Sequence, residues 1–336
     1  MAKVIVDAFG GDNSPLEPIK GAVAAHKKWG IGIALSGERR LIEAVASENG
    51  IDLSDIEIID AEGVIDIHED PGEILKSRKN CSMAVGLKAL AAGEGDAFVS
   101  AGSTGALLMG ATFLVKRIKG VKRPALCTNV PTPKSSYLLL DSGANADCRP
   151  DMLYSFGVMG AIYAENVLGR KNPRVALLNI GAEDTKGGTL QLETYKLLKE
   201  DKSINFIGNA EARDVPSGVC DVLVTDGFSG NVVLKLTEGV SATFFRLVKG
   251  VFLKNFKTKI AAAIIKKDLS SLKKYLDYSE HGGAPLIGVK APVIKAHGAS
   301  QAKAFMNAVR VADNFAKSGA VAKITAAFSA EANKNA

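Results

Sequence analysis

The stretch AFVSAGSTGALLMGATFLVKRI, residues 97–118, decides the fold class. Its first four residues are apolar without polar alternation up to Ser100, the pattern of a strand buried on both faces. Gly102 and Gly105 then bracket a turn, and residues 104–118 resume with apolar side chains at helical spacing. A buried strand leading through a glycine turn into a helix is half of a βαβ unit, and the same pattern recurs along most of the 336 residues. Strands are predicted at 4–7, 31–36, 56–59, 97–100, 137–141, 175–180, 205–208 and 222–226. Helices are predicted at 16–28, 39–47, 82–91, 104–118, 152–168, 189–199, 231–249 and 300–317. This alternation predicts an α/β protein, three layers α/β/α around a largely parallel sheet. One unit spans 1–330, with a weak boundary near Pro124. The tail at 327–336 is expected to fray.

Composition narrows the functional classes. Apolar residues make up 47% and charged residues 23%, ordinary for a globular protein. Glycine is in excess, 34 of 336 residues against a usual ~7%, which suits many tight turns or backbone lying close to a ligand. The N-terminus lacks the basic and apolar regions of a secretory signal, and the longest nearly apolar run, 105–115, falls short of the ~20 residues of a membrane span. A cytoplasmic protein is expected. Cys81, Cys127, Cys148 and Cys220 match no zinc or C-x-x-C spacing and read as reduced thiols.

Charge is unevenly spread. Residues 246–274 hold nine Lys/Arg against one acid, Asp268, so this segment carries +8 of a net +6 and the rest sums to −2. Phe244, Phe245, Val248, Phe252, Phe256, Ile260 and Ile264 recur among these cations at three and four residues, describing a basic amphipathic helical element over 238–275. It suits peripheral attachment to an anionic membrane surface through 240–267, docking of an acidic protein, or a dimer-interface helix with a solvated basic face. No nucleic-acid motif accompanies the charge, so no nucleic acid partner is expected.

The chemistry concentrates in turns after the strands: DAFGGD (7–12), SAGSTGA (100–106), DSGANAD (141–147), NIGAEDTKG (179–187) and DGFSGN (226–231). In SAGSTGA, the backbone N–H groups of Gly102, Ser103, Thr104 and Gly105 open a helix and suit a small anion such as phosphate. The same residues also make a plain glycine turn with a Ser/Thr cap. No Walker pattern occurs and no G-x-G-x-x-G follows a strand, so no nucleotide cofactor is expected. Lys186, in a Gly-flanked polar turn, offers a point charge for phosphate, or is a solvated loop lysine. Asp7, Asp12, Asp141, Asp147 and Asp226 can cluster around Mg²⁺ or each cap a helix or turn, and nothing in their spacing fixes a metal. His297, Asn231 and Asn145 are candidates to polarise a carbonyl or to protonate a leaving group.

Taken together the turns resemble the bacterial phosphate acyltransferases of the PlsX family. The resemblance rests on seven blocks in one order: DAFGGD (7–12), SAGSTGA (100–106), DSGANADC (141–148), LLNIGAEDTKG (177–187), FIGNAEARD (206–214), DVLVTDGFSGNVVLK (221–235) and GGAPLIGVKAPVIKAHGAS (282–300). Ser103, Ala182 and His281 stand where the family commonly has Asn, Glu and Tyr. The resemblance implies a fold like isocitrate dehydrogenase and phosphotransacetylase, a homodimer, and transfer of an acyl group from acyl carrier protein to inorganic phosphate. The acyl phosphate then feeds phospholipid synthesis. It supplies no assigned catalytic residue. The rival expectations are a phosphotransacetylase-like enzyme using acyl-CoA, a metal-dependent dehydrogenase on the same fold, and a non-catalytic membrane-bound scaffold.

Overall fold

A computed structural model describes residues 2–133, 135–265 and 282–334. His281 and the cations Lys266, Lys267, Lys273 and Lys274, with Asp268, lie outside the described residues. The first half runs β1 (Lys3–Asp7), α1 (Leu16–Trp29), β2 (Gly32–Gly37), α2 (Arg39–Glu48), β3 (Glu57–Asp60), α3 (Ser82–Ala92), β4 (Ala97–Ser100) and α4 (Thr104–Gly110). The second half continues with β5 (Ala125–Thr132), β6 (Ser135–Leu140), α5 (Pro150–Asn166), β7 (Arg174–Asn179), α6 (Thr189–Glu200), β8 (Asn205–Glu211) and β9 (Val222–Val224). It ends with α7 (Gly227–Leu253), α8 (Phe256–Ile264), β10 (Ala284–Ile287), β11 (Val293–Lys295), α9 (Ala302–Lys317) and α10 (Ala320–Lys334).

Eleven strands form one sheet in the order β3-β2-β1-β4-β11-β10-β5-β6-β9-β7-β8. Most pairings are parallel, but β11 with β10, β10 with β5 and β5 with β6 are antiparallel. These three reversals have one consequence for function. β6, β9, β7 and β8 run opposite to β1, β4 and β11, so the carboxyl ends of the two halves lie on opposite edges of the sheet. The pairing strands β5, β10 and β11 are the ones not predicted from sequence. β5 reads ALCTNVPT, with polar residues in its middle and Pro131 near its end, and β10 and β11 are four and three residues long. A proline and a short apolar run both argue against a central strand until the neighbours are known.

One face of the sheet is covered from end to end. Val4, Val6, Leu35, Val99, Cys127, Leu140, Val175 and Val224 pack there against α1, α5, α9 and α10 in one continuous core. The other face carries two separate cores. Ile5, Phe98, Leu126 and Leu286 pack under α3 and α4, and Val130, Tyr137, Leu139 and Leu223 pack under the start of α7. On this face β5 presents Leu126, Thr128 and Val130 in turn, because side chains alternate along a strand. Leu126 joins the first core and Val130 the second, and Thr128 stands between them where neither reaches.

Three helical expectations change. The helix predicted at 104–118 stops as α-helix at Gly110 and continues as a π-helix over Ala111–Lys116, ending at Lys116 with φ 74°. The tail expected to fray from 327 is instead helical to Lys334, because Ile324 and Phe328 are buried in the main core and Phe328 closes over Gly120. The predicted helix at 231–249 becomes the 27-residue α7, about 40 Å long, whose only buried residues are Gly227 and Gly230.

Candidate active site

Three neighbouring strands end in polar residues at one edge of the sheet. Lys295 of β11 is in register with Ser100 of β4, and β4 lies beside β1, which ends at Asp7. The strand order turns back between β1 and β4, the point where open α/β sheets leave a crevice beyond their carboxyl ends. Ser100 Oγ donates to Asp7 Oδ2 at 2.6 Å and accepts the N–H of Gly102 at 3.0 Å. Gly10 has to be glycine here: a Cβ would lie 2.7 Å from both Asp7 Oδ2 and Ser100 Oγ. Burial pushes the Asp7 carboxyl above its ordinary range, opposed by the hydrogen bond from Ser100.

The Lys295 ammonium donates to the carbonyl oxygens of Ala101, at 3.2 Å, and of Ala296. Burial lowers its pKa from 10.5 to about 8, against the pull of Asp12 and Asp7 and with a push from Lys235. A cation held at the root of the 101–105 turn is what the chemistry of a small oxyanion needs there. In that turn Ser103 Oγ accepts the N–H of Ala106 and caps α4, while the N–H groups of Ser103, Thr104 and Gly105 find no acceptor among the described residues.

A cavity of about 740 Å³ opens over the gap between the two cores. Lys295, His297 and Thr104 line it from the β4–β11 side, and Ser142, Gly143 and Asn231 from the side of the loops after β6 and β9. Thr128 and Leu126 on β5, with Ala284 on β10, form the floor, and Leu234 and Lys235 of α7 the wall. Its lining thus mixes polar and cationic groups with apolar ones. Thr128 shares a hydrogen bond of 2.7 Å with Ser142, joining β5 to the loop after β6. His297 Nδ1 accepts the N–H of Ala299 at 3.2 Å, which leaves the proton of the neutral ring on Nε2.

Of the predicted residues, Thr104, His297 and Asn231 line this cavity, and Gly102, Ser103 and Gly105 belong to the turn that carries Thr104. Lys186 and Asn145 do not join them. Lys186 is exposed in the loop after β7, and that loop leaves the opposite edge of the sheet from SAGSTGA. Turns that look alike in sequence are separated here because β7 lies six strands from β4 in the sheet order and runs antiparallel to it, whereas β6 and β9 stand nearer. Asn145 is buried, and its amide donates to Pro124 O and Asp141 Oδ2, both at 2.8 Å, so it holds the loop rather than a substrate. Asp141 in turn accepts the N–H groups of Leu126, Gly143, Ala144 and Asn145. Asp226 caps α7 through Ser229 N–H. These two carboxylates serve backbone, and among the described residues no group of three or more His, Cys, Asp or Glu is placed to hold a metal.

Lys295, Thr128 and Ser142 were not legible as site residues. The signal for Lys295 was a lysine ending the apolar run PVIK, at 292–295, directly before the His297 turn. The cysteines offer no nucleophile. Burial raises all four thiols, Cys148 and Cys220 to about 12, so they stay protonated at neutral pH.

The fold is shared with the phosphotransacetylases. The enzyme from Streptococcus pyogenes aligns with a TM-score of 0.65 at 15% identity over 94% of both chains, and EutD phosphotransacetylase from Staphylococcus aureus with 0.62 at 17% over 94% of both. At such identities the likeness concerns the fold alone. Sequence similarity goes further: the fatty acid synthesis protein family matches residues 2–323. The phosphate acyltransferase of Alkaliphilus oremlandii (strain OhILAs) is 49% identical over 313 residues, 93% of each chain. That of Clostridioides difficile (strain 630) is 43% identical over 336 residues, 99% of this chain and 98% of the relative. The chain therefore belongs to the bacterial phosphate acyltransferase family, PlsX.

Proposed function

We propose that this protein transfers a fatty acyl group from acyl carrier protein to inorganic phosphate, giving acyl phosphate for phospholipid synthesis. The observation that carries this reading is Lys295: a partly buried ammonium beside free backbone N–H groups, in a cavity lined by both polar and apolar side chains. Hydrogen phosphate held by Lys295 and the N–H groups of Ser103, Thr104 and Gly105 attacks the thioester carbon. The new C–O bond forms, the C–S bond breaks, and the phosphate proton passes to the departing thiolate, so no net proton is consumed. His297, with its proton on Nε2, suits that transfer, and the Asn231 amide suits the carbonyl oxygen. Holding two reactants in attack geometry supplies up to about 7–11 kcal/mol of barrier lowering, so no protein nucleophile is needed.

Release of free carrier thiol from acyl carrier protein, measured with and without phosphate, tests this. Release in strict proportion to acyl phosphate formed is expected; release independent of phosphate, or none, overturns it. Turnover of short acyl-CoA in place of the carrier would favour the phosphotransacetylase-like alternative, and binding to vesicles without any turnover the scaffold.

The same reading extends to where the protein works. A homodimer attached peripherally to anionic membrane is supported by α7 and α8. Their apolar residues Phe228, Val232, Leu236, Val240, Phe244, Leu247 and Val251, then Phe256, Ile260 and Ile264, are all exposed, from 49% at Val232 to 77% at Phe256. Arg246, Lys249, Lys254, Lys257 and Lys259 accompany them. Among the described residues no helix is long and apolar enough to cross a membrane.

A further inference from the structure

We propose that a second, basic cleft beside the catalytic cavity is the docking surface for the acidic protein that delivers the acyl group. This rests on the acyl transfer proposed above and adds the place where the donor binds. The segment KRIKGVKR, residues 116–123, holds five Lys/Arg and no acid. Three of these, Arg117, Lys122 and Arg123, join Arg149 in lining a cleft of about 340 Å³ at the end of the π-helix. All four are exposed. The Arg117 guanidinium donates to the carbonyl of Lys122, which fixes the turn, and Arg149 pairs with Asp151 at 3.2 Å. Asp147, exposed on the same loop, is the other nearby acid in sequence, so cations prevail. Phe113 stands 56% exposed in the same cleft. An aromatic side chain surrounded by arginines is the composition of a protein-binding hot spot, and its charge selects an acidic partner.

The cleft is tied to the cavity by shared backbone. The loop that leaves β6 lines the cavity at Ser142 and Gly143 and the cleft at Arg149. Arg123 precedes Leu126, on the cavity floor, by three residues, at most about 10 Å of extended chain. Ser142 N–H donates to Leu126 O at 3.0 Å and the Asn145 amide to Pro124 O at 2.8 Å, locking the two segments together. A protein seated on the cleft is therefore held at a fixed place relative to the cavity, as a carrier presenting a tethered thioester requires. A membrane is the weaker fit, because the cations surround a concavity with two apolar side chains, Phe113 and the half-buried Met152, whereas α7 and α8 offer a long apolar stripe.

The Lys122→Glu/Arg123→Glu variant tests the assignment through steady-state kinetics with acyl carrier protein and phosphate, at low and at physiological salt. The expected result is a carrier KM raised tenfold or more, with kcat and the phosphate KM within about twofold of the parent protein. The carrier KM of the parent should rise with salt, and that of the variant should not. Phe113→Ala, which leaves the charge intact, should raise the carrier KM several-fold. An unchanged carrier KM in both variants overturns the assignment. So does a parallel loss in kcat and phosphate KM, which would mark a folding defect, or loss of vesicle binding with the carrier KM intact, which would mark a lipid surface. Failure of the parent protein to release thiol in a phosphate-dependent way would instead sink the acyl transfer on which the inference rests.

Discussion

At the residue scale, the site depends on one lysine whose charge is available only over part of the pH range. Burial lowers Lys295 to about 8, so the ammonium proposed to hold phosphate is lost as pH rises through that value. The phosphate KM should climb above pH 8, and Lys295→Arg, whose guanidinium keeps its charge, should move that rise upward by two pH units or more. Lys295→Ala should raise the phosphate KM at least tenfold at pH 7, while Lys186→Ala, at the opposite sheet edge, should leave it within about twofold. Steady-state kinetics over pH 6.5–9.5 checks all three. The same shift has a consequence for stability. Between about 8 and 10.5 the unfolded chain keeps a proton that the folded chain has lost, so Lys295 makes the fold more stable as pH rises through that window. A different residue sets the packing: at Gly230, a Cβ would lie 1.9 Å from the carbonyl oxygen of Asp141. Gly230→Ala should therefore cost about 3 kcal/mol or more, read from the denaturant midpoint, because the obstacle is backbone and cannot rotate away.

At the scale of elements, α7 combines two roles along one helix. Its first turns are anchored by the Asp226 cap and by close contact of Gly227 and Gly230 with the loop after β6, and there Asn231, Leu234 and Lys235 face the cavity. Beyond Glu238, Val240, Phe244, Leu247, Val251 and Leu253 are exposed, while Phe245, Val248 and Phe252 are half-buried. A helix with so little burial gains its stability from whatever covers it. Charge reversal at Lys254, Lys257 and Lys259 should reduce co-sedimentation with anionic vesicles by tenfold or more while leaving kcat unchanged, since Lys254 directly follows α7 and Lys257 and Lys259 lie in α8. Unaltered co-sedimentation would reject lipid attachment through this element. The element was readable in the sequence as basic and amphipathic, because spacing and charge are local properties. Its anchorage at Gly227 was not, because it depends on contact with Asn145.

At the scale of the whole molecule, the two halves of the chain are joined where strand direction reverses, and one carboxylate holds the junction. Asp141 accepts four backbone N–H groups and the Asn145 amide, drawn from β5 and from the loop after β6. Its burial raises the carboxyl above the usual range, opposed by these hydrogen bonds. Asp141→Ala should orphan all of these donors at once and cost about 3–5 kcal/mol, with loss of activity at the same denaturant concentration as loss of structure. Activity lost well before unfolding would mean that the junction can open on its own.

The sequence by itself determined the α/β class, most strands and helices, the family and the glycine turn at 100–106. Each of these is written in local spacing: apolar runs for buried strands, three- and four-residue periods for helices, and seven turn blocks in order. Only the tertiary structure decided which turns meet. Because β5, β10 and β11 reverse the sheet, the loop bearing Lys186 was carried to the far edge, Asn145 was consumed in holding Asp141, and Lys295 arrived beside SAGSTGA from nearly 200 residues away. Strand direction is set by pairing between distant segments, and no local pattern in the chain records it.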